Sequence, residues 1–166
     1  MSVARHPAAR LGDMRVHLGS DHAGFELKQH LARRLVEQGH EVVDHGPSSY
    51  DPDDDYPPFC LRTGAGVVAD AGSLGVVIGG SGNGEQIAAN KVAGVRAALA
   101  WSEETARLAR EHNNANIVSI GARMHSVEEA TRFVEVFLAT PFSGLERHKR
   151  RIEMLRDYEA DETISA

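Results

Sequence analysis

The stretch VVIGGSGNGEQIAANK, Val76–Lys91, opens on β-branched residues, packs four glycines into six positions, Gly79 to Gly84, and then sets a carboxylate, Glu85, where a helix begins. Glycine lets a chain turn sharply with positive φ and lets backbone N–H groups approach a ligand unshielded by any Cβ. A helix starting near Gly84 adds unpaired N–H donors and a positive dipole end, so strand, bare loop and helix together form an anion hole. The loop is no Walker motif, because Lys91 comes too late and no Gly-Lys-Ser/Thr follows. The spacing of Gly80, Gly82 and Gly84 is also a poor dinucleotide fingerprint. A carboxylate at a helix N-terminus is commonly a dipole partner, which would hold its pKa low and make it a weak base unless water is removed around it.

Outward from this loop, short apolar runs alternate with stretches of helical period. RVHLGS from Arg15, EVVD from Glu41, LGVVIGG from Leu74, VRAALA from Val95 and NIVSIGA from Asn116 read as strands. Leu27, Leu31 and Leu35 predict one helix, Phe59, Thr63 and Val67 a second, and Val127, Ala130, Val134 and Phe137 another. Trp101, Thr105, Leu108 and His112 predict a buried face on a further helix. Strands joined by helical crossovers make an open five-stranded parallel sheet with helices on either side. In such sheets ligands bind outside the carboxyl ends of the strands.

At 166 residues the chain is one domain in length. We read residues 1–13 as a flexible extension, 14–158 as the domain and 159–166 as a tail. The formal net charge of -6 argues against a broad grip on nucleic acid or an anionic membrane surface. No apolar run approaches the roughly 20 residues that span a bilayer. A single cysteine, Cys60, points to a reducing cytoplasm and lies on the apolar side of its helix.

Three further loops carry chemistry-bearing residues. Asp21 and His22 follow the first strand, and Asp21 can also cap the next helix. His112, Asn113 and Asn114 end a helix before the last strand, where a histidine is often only a dipole partner. Arg123 stands at the carboxyl end of the fifth strand. The aspartates of DPDDD, Asp51–Asp55, read as solvated turn residues. The nine histidines show no zinc spacing, so we expect neither metal nor cofactor.

GSDHAGFELK, GGSGNGEQIAANKVAGVRAALA, REHNNANI and RHKRRIEML together resemble ribose-5-phosphate isomerase type B, a family that includes galactose-6-phosphate and allose-6-phosphate isomerases. The likeness runs from about Met14 to Tyr158. It implies a three-layer α/β/α sandwich with a Rossmann-like five-stranded parallel sheet, working as a metal-free homodimer that interconverts an aldose phosphate and its ketose through an enediolate. By resemblance Glu85 is the base and His112 the acid that opens the furanose ring. Gly80, Ser81, Gly82, Asn83 and Gly84 surround the reacting oxygens, Asp21, His22 and Asn113 hold hydroxyls, and Arg123, Arg147 and Arg151 bind phosphate. In the family the C-terminal helix bearing Arg147 and Arg151 reaches the partner subunit's site. One branch carries a cysteine base where this chain has Gly79 and an apolar residue where it has Glu85. This chain resembles the other branch, usually associated with five-carbon substrates. A tetrose or hexose phosphate, or a sugar-phosphate-binding module without catalysis, are the alternatives.

Overall fold

The computed structural model describes residues 14–165, so the extension expected over residues 1–13 lies outside the described residues. Five parallel strands form the sheet: β1 Arg15–Ser20, β2 Glu41–Asp44, β3 Leu74–Gly79, β4 Ala97–Leu99 and β5 Ile117–Gly121, in the order β2-β1-β3-β5-β4. The connecting helices are α1 Phe25–Glu37, α2 Tyr56–Ala69, α3 Asn83–Ala89, α4 Glu103–Asn113 and α5 Val127–Ala139, followed by α6 Glu146–Asp161. This is the expected sandwich. The order reverses at β1 and β3, the switch point where a crevice opens between loops that leave in opposite directions.

Each face of β3 has its own core. Leu74, Val76 and Ile78 pack with Leu27, Leu31 and Leu35 of α1 and with Ala130, Val134 and Phe137 of α5. Val77 points the other way, into a cluster with Cys60 and Val67 of α2 and Ala88 and Ala89 of α3. Period-two alternation therefore aims Gly75 and Gly79 at α2 and α3 as well. Burial on both faces leaves all six β3 residues without solvent contact of note.

The face expected on α4 is corrected by the structure. Trp101 precedes the helix and is 63% exposed, while Ala106 and Ala109 face the core. Small residues let α4 approach the sheet closely, and the larger side chains are left on the outside. α6 is different again, since His148 is its one buried residue.

Lys28, on the buried side of α1, is fully enclosed. Its Nζ donates to both carboxylate oxygens of Asp44 at 2.6 and 2.8 Å and to the Pro47 carbonyl at 3.0 Å, tying α1 to the end of β2. The two partners differ in exposure, because the Asp44 side chain is 37% exposed. Asp44→Ala strands an ammonium in the core and is expected to cost about 3 kcal/mol. Lys28→Met keeps apolar volume and leaves only a carboxylate that water can reach. Urea denaturation should rank Asp44→Ala as the more damaging change, and the reverse order would refute this account of the pair.

Candidate active site

Three strand ends build the floor of the crevice. Ala122 N–H donates to the Gly79 carbonyl at 2.7 Å and Arg123 N–H to the Gly80 carbonyl at 3.1 Å, so the turn after β5 is laced to the glycine loop. Gly82 takes φ of +84° and caps α3, a left-handed conformation that suits glycine. Its carbonyl accepts from the Ser119 hydroxyl at 2.7 Å, which pins the loop against β5. The Arg123 guanidinium lies over Gly80, near enough that a Cβ there would come 3.3 Å from Nη1.

Glu85 is the third residue of α3. Helical side chains lean toward the N-terminus, so its carboxylate folds back over the end of β3. There it takes the space of a missing side chain: a Cβ on Gly79 would sit only 1.9 to 2.4 Å from the carboxylate atoms. Glu85 is 4% exposed, and burial, with a smaller contribution from the Asp21 charge, raises its pKa above the ordinary 4.5, against the lowering effect of its own backbone N–H. The expected dipole-lowered acid is thus corrected, since desolvation outweighs the backbone N–H at the helix end.

Asp21 accepts from Gly24 N–H at 3.2 Å and caps a single 3-10 turn, His22–Gly24, ahead of α1. His22 is paired with a residue the sequence did not single out. Asp54 Oδ1 accepts its backbone N–H at 2.9 Å and its ring Nδ1–H at 2.7 Å. The reading of Asp51–Asp55 as wholly solvated fails at this position, because the Asp54 side chain is only 8% exposed. Ligating atoms of Asp21, His22 and Asp54 fall within 4.8 Å of one another. The hydrogen bond accounts for that approach, and a cation would have to break it. Tyr56 is a second residue missed, with its ring lying against Gly84. Cys60 lies in the packed cluster behind α3, where burial and the nearby Glu85 and Asp21 charges push its thiol far up and leave it inert.

The remaining expected residues do not join this crevice. In a parallel sheet the turn from helix to strand lies at the amino end, and His112 and Asn113 are the last two residues of α4, ahead of the turn into β5. Arg96, just before β4, confirms the placement by donating to the Asn113 and Asn114 carbonyls at 3.1 and 2.9 Å. The five residues of β5 put roughly 15 Å between this end and Arg123. His112 instead stacks on His148 of α6, with ring centroids 4.4 Å apart. Burial, then the charges of His112, Arg147 and Arg151, lower the His148 pKa, a sign of how much positive charge gathers here. Arg147 and Arg151 project from one exposed side of α6. Within one chain the expected residues therefore fall into two groups at opposite ends of the sheet.

The family model for ribose/galactose isomerases matches residues 16–155. Ribose-5-phosphate isomerase B of Mycolicibacterium paratuberculosis is 62% identical over 146 residues, covering 88% of this chain and 92% of that protein. The enzyme of the same name from Mycobacterium tuberculosis is 59% identical over 149 residues, 90% and 92% of the two chains. The crystal structure of ribose-5-phosphate isomerase B from Mycoplasma genitalium with bound ribulose-5-phosphate superposes with a TM-score of 0.85 at 40% identity, covering 89% of this chain and 97% of that one. With a family model spanning most of its length and relatives this similar over nearly all of theirs, the chain belongs to the ribose/galactose isomerase family.

Proposed function

We propose that this chain interconverts ribose 5-phosphate and ribulose 5-phosphate through an enediolate, in sites shared between two copies of the chain. The observation that carries the reading is the buried Glu85 carboxylate seated in the space above Gly79, beside a loop of bare backbone. A base with a raised pKa takes the C2 proton and returns it to C1, while loop groups from Gly80 to Gly84 face the oxygen that becomes negative. Asp21 and His22 hold hydroxyls at the same end. Arg123 supplies the cation nearest the loop. The relatives named ribose-5-phosphate isomerase B support the choice of a five-carbon substrate.

His112, Asn113, Arg147 and Arg151 complete the site from a second copy. Two features support this. The half-sites are separated within one chain by the height of the sheet, and apolar residues stand exposed on α6 and beside the end of β4: Trp101, Leu155 and Tyr158 are between 51% and 63% exposed. Trp101, Leu155 and Tyr158 line one groove of about 850 Å³ between α6 and the β4 edge, and exposed apolar surface of this extent suits a subunit contact. In this reading residues 14–158 form one domain whose C-terminal helix reaches its partner, His112 opens the furanose ring, and the arginines clamp the phosphate. α6 itself continues to Asp161. Among the described residues no helix is long and apolar enough to cross a membrane, and the inert single thiol suits a reducing cytoplasm.

Turnover of four-, five- and six-carbon sugar phosphates, with EDTA present, tests the assignment. Pentose phosphate should be favoured, and Glu85→Gln should lose about 10² to 10⁴-fold in kcat with KM largely kept. Because the carboxylate must be ionised to act, kcat/KM should fall as pH drops through a pKa above 4.5, so the acid limb should lie higher than an ordinary glutamate would place it. Full activity of Glu85→Gln would leave only a binding module.

Gly79→Ala should displace that carboxylate, because the new methyl and the acid claim the same volume. An ångström of misplacement can cost about 10²-fold, so kcat should fall while the melting curve stays cooperative. An unimpaired Gly79→Ala enzyme would show that the packing does not aim the base.

Mixing inactive Glu85→Gln with Arg151→Ala chains tests the shared site. In a symmetric dimer each mixed pair rebuilds one intact site, so a random equal mixture should recover about a quarter of wild-type activity. No recovery, with exchange of subunits verified by mass, would place both residues in one chain's site.

A further inference from the structure

Asp54 reaches His22 from the segment between β2 and α2, 32 residues along the chain. The turn that presents it is closed by Asp54 N–H to the Asp51 carbonyl at 3.3 Å and Asp53 N–H to Asp51 Oδ1 at 3.0 Å. Tyr50, from the same segment, sets its ring edge-on to His22 with centroids 6.4 Å apart. A carboxylate can only accept, so Nδ1 of His22 must carry the proton in this pair. Nε2 has no protein partner among the described residues, yet it is not among the buried orphan atoms, so it keeps contact with solvent in the crevice.

The other oxygen of Asp54 is the unexpected part. Oδ2 is buried without any donor. A group kept only to tie the loop down would not need that second acceptor, since an asparagine oxygen could receive both N–H groups. The feature that only aspartate provides is charge.

We propose that Asp54 is a positioning residue for His22: its charged oxygen holds the backbone N–H and the ring Nδ1–H together, fixing the ring so that Nε2–H is presented as a donor to an oxygen of the sugar phosphate. The inference rests on the isomerase reading for the identity of that oxygen, while the pair itself stands on geometry. The charged groups facing the ring are Asp54 from the β2–α2 segment, Asp21 from its own turn and Arg123 from the turn after β5, with the Tyr50 phenol alongside. Their balance favours the cation, because the Asp54 hydrogen bond raises the His22 pKa more than burial and Arg123 lower it.

The sign of the pH effect follows. His22 is a two-donor cation below its raised pKa and loses that character as pH climbs through it, so kcat/KM should decline on the basic side. Asp54→Asn keeps an acceptor and removes the charge, which moves the decline to lower pH. Above the ordinary imidazole pKa of about 6.5 the variant should lose on the order of tenfold in kcat/KM, mostly through KM, and the loss should shrink as pH falls below it. Asp54→Glu should restore part of the loss.

The decisive measurement is a nitrogen-15 NMR titration of the His22 ring in wild type and Asp54→Asn, with thermal melts to establish that both are folded. The proposal expects an Nδ1–H ring in wild type and a lower titration midpoint in the variant. An unshifted midpoint, or a basic limb and KM indifferent to Asp54→Asn in an active wild-type background, overturns it. Wild-type protein that fails to turn over any pentose phosphate would instead strike the functional reading, with the NMR titration still deciding the pair.

Discussion

Residue 79 and the carboxylate of Glu85 compete for one volume, and the architecture around the crevice follows from giving it to the carboxylate. β3 ends on a residue without a side chain, facing α3 by the alternation of the strand. Gly82 in its left-handed conformation then starts α3 at Asn83, which places Glu85 at the third helical position, with its side chain leaning back over the strand. A shift of one residue in that start would rotate the side chain by roughly 100° and send the acid elsewhere. The same enclosure that holds the carboxylate also desolvates it, so position and basicity have a single cause.

Much of this was readable beforehand because it is local. The alternation of β-branched runs with leucine and valine periods determines the strands and most helices, and the glycine run before an acid marks the anion-facing turn. What escaped is long-range. Asp54 sits in an acidic run that resembles solvated turn sequence, and only folding the segment over His22, 32 positions away, buries it. Trp101, Thr105, Leu108 and His112 do repeat at helical spacing, but spacing reports that a stripe exists and not which stripe meets the sheet. In α4 the tight approach is made by Ala106 and Ala109, whose small size is a weak sequence signal. The raised pKa of Glu85 could not be read either, because burial depends on the Gly79 contact.

The division of the proposed site residues between the two ends of the sheet has an electrostatic logic. Arg147 and Arg151 close to Glu85 within one folded chain would favour its ionised form and undo the effect of burial. Carried at the amino end, they leave the carboxylate near the Asp21 charge and away from their own. In the proposed dimer they arrive together with a phosphate dianion, whose charge offsets theirs. The base then meets a pocket closer to neutral than a list of its residues suggests.

The corner between α4 and β5 depends on cations of another kind. Arg96 and Arg110 are half-buried, and burial lowers the pKa of each, yet both spend their donors on the end of α4. Arg96 takes the Asn113 and Asn114 carbonyls, and Arg110 takes the Asn114 side chain and the Ala115 carbonyl. The Asn113 and Asn114 carbonyls are acceptors of the kind that a helix C-terminus leaves unpaired, here held by charge around the left-handed Asn114 at φ of 43°. No carboxylate pairs with Arg123, Arg147 or Arg151 among the described residues. A guanidinium committed to a backbone carbonyl fixes a turn, whereas one without an anionic partner remains available for phosphate. That difference, more than sequence position, separates the arginines that build the α4–β5 corner from Arg123, Arg147 and Arg151.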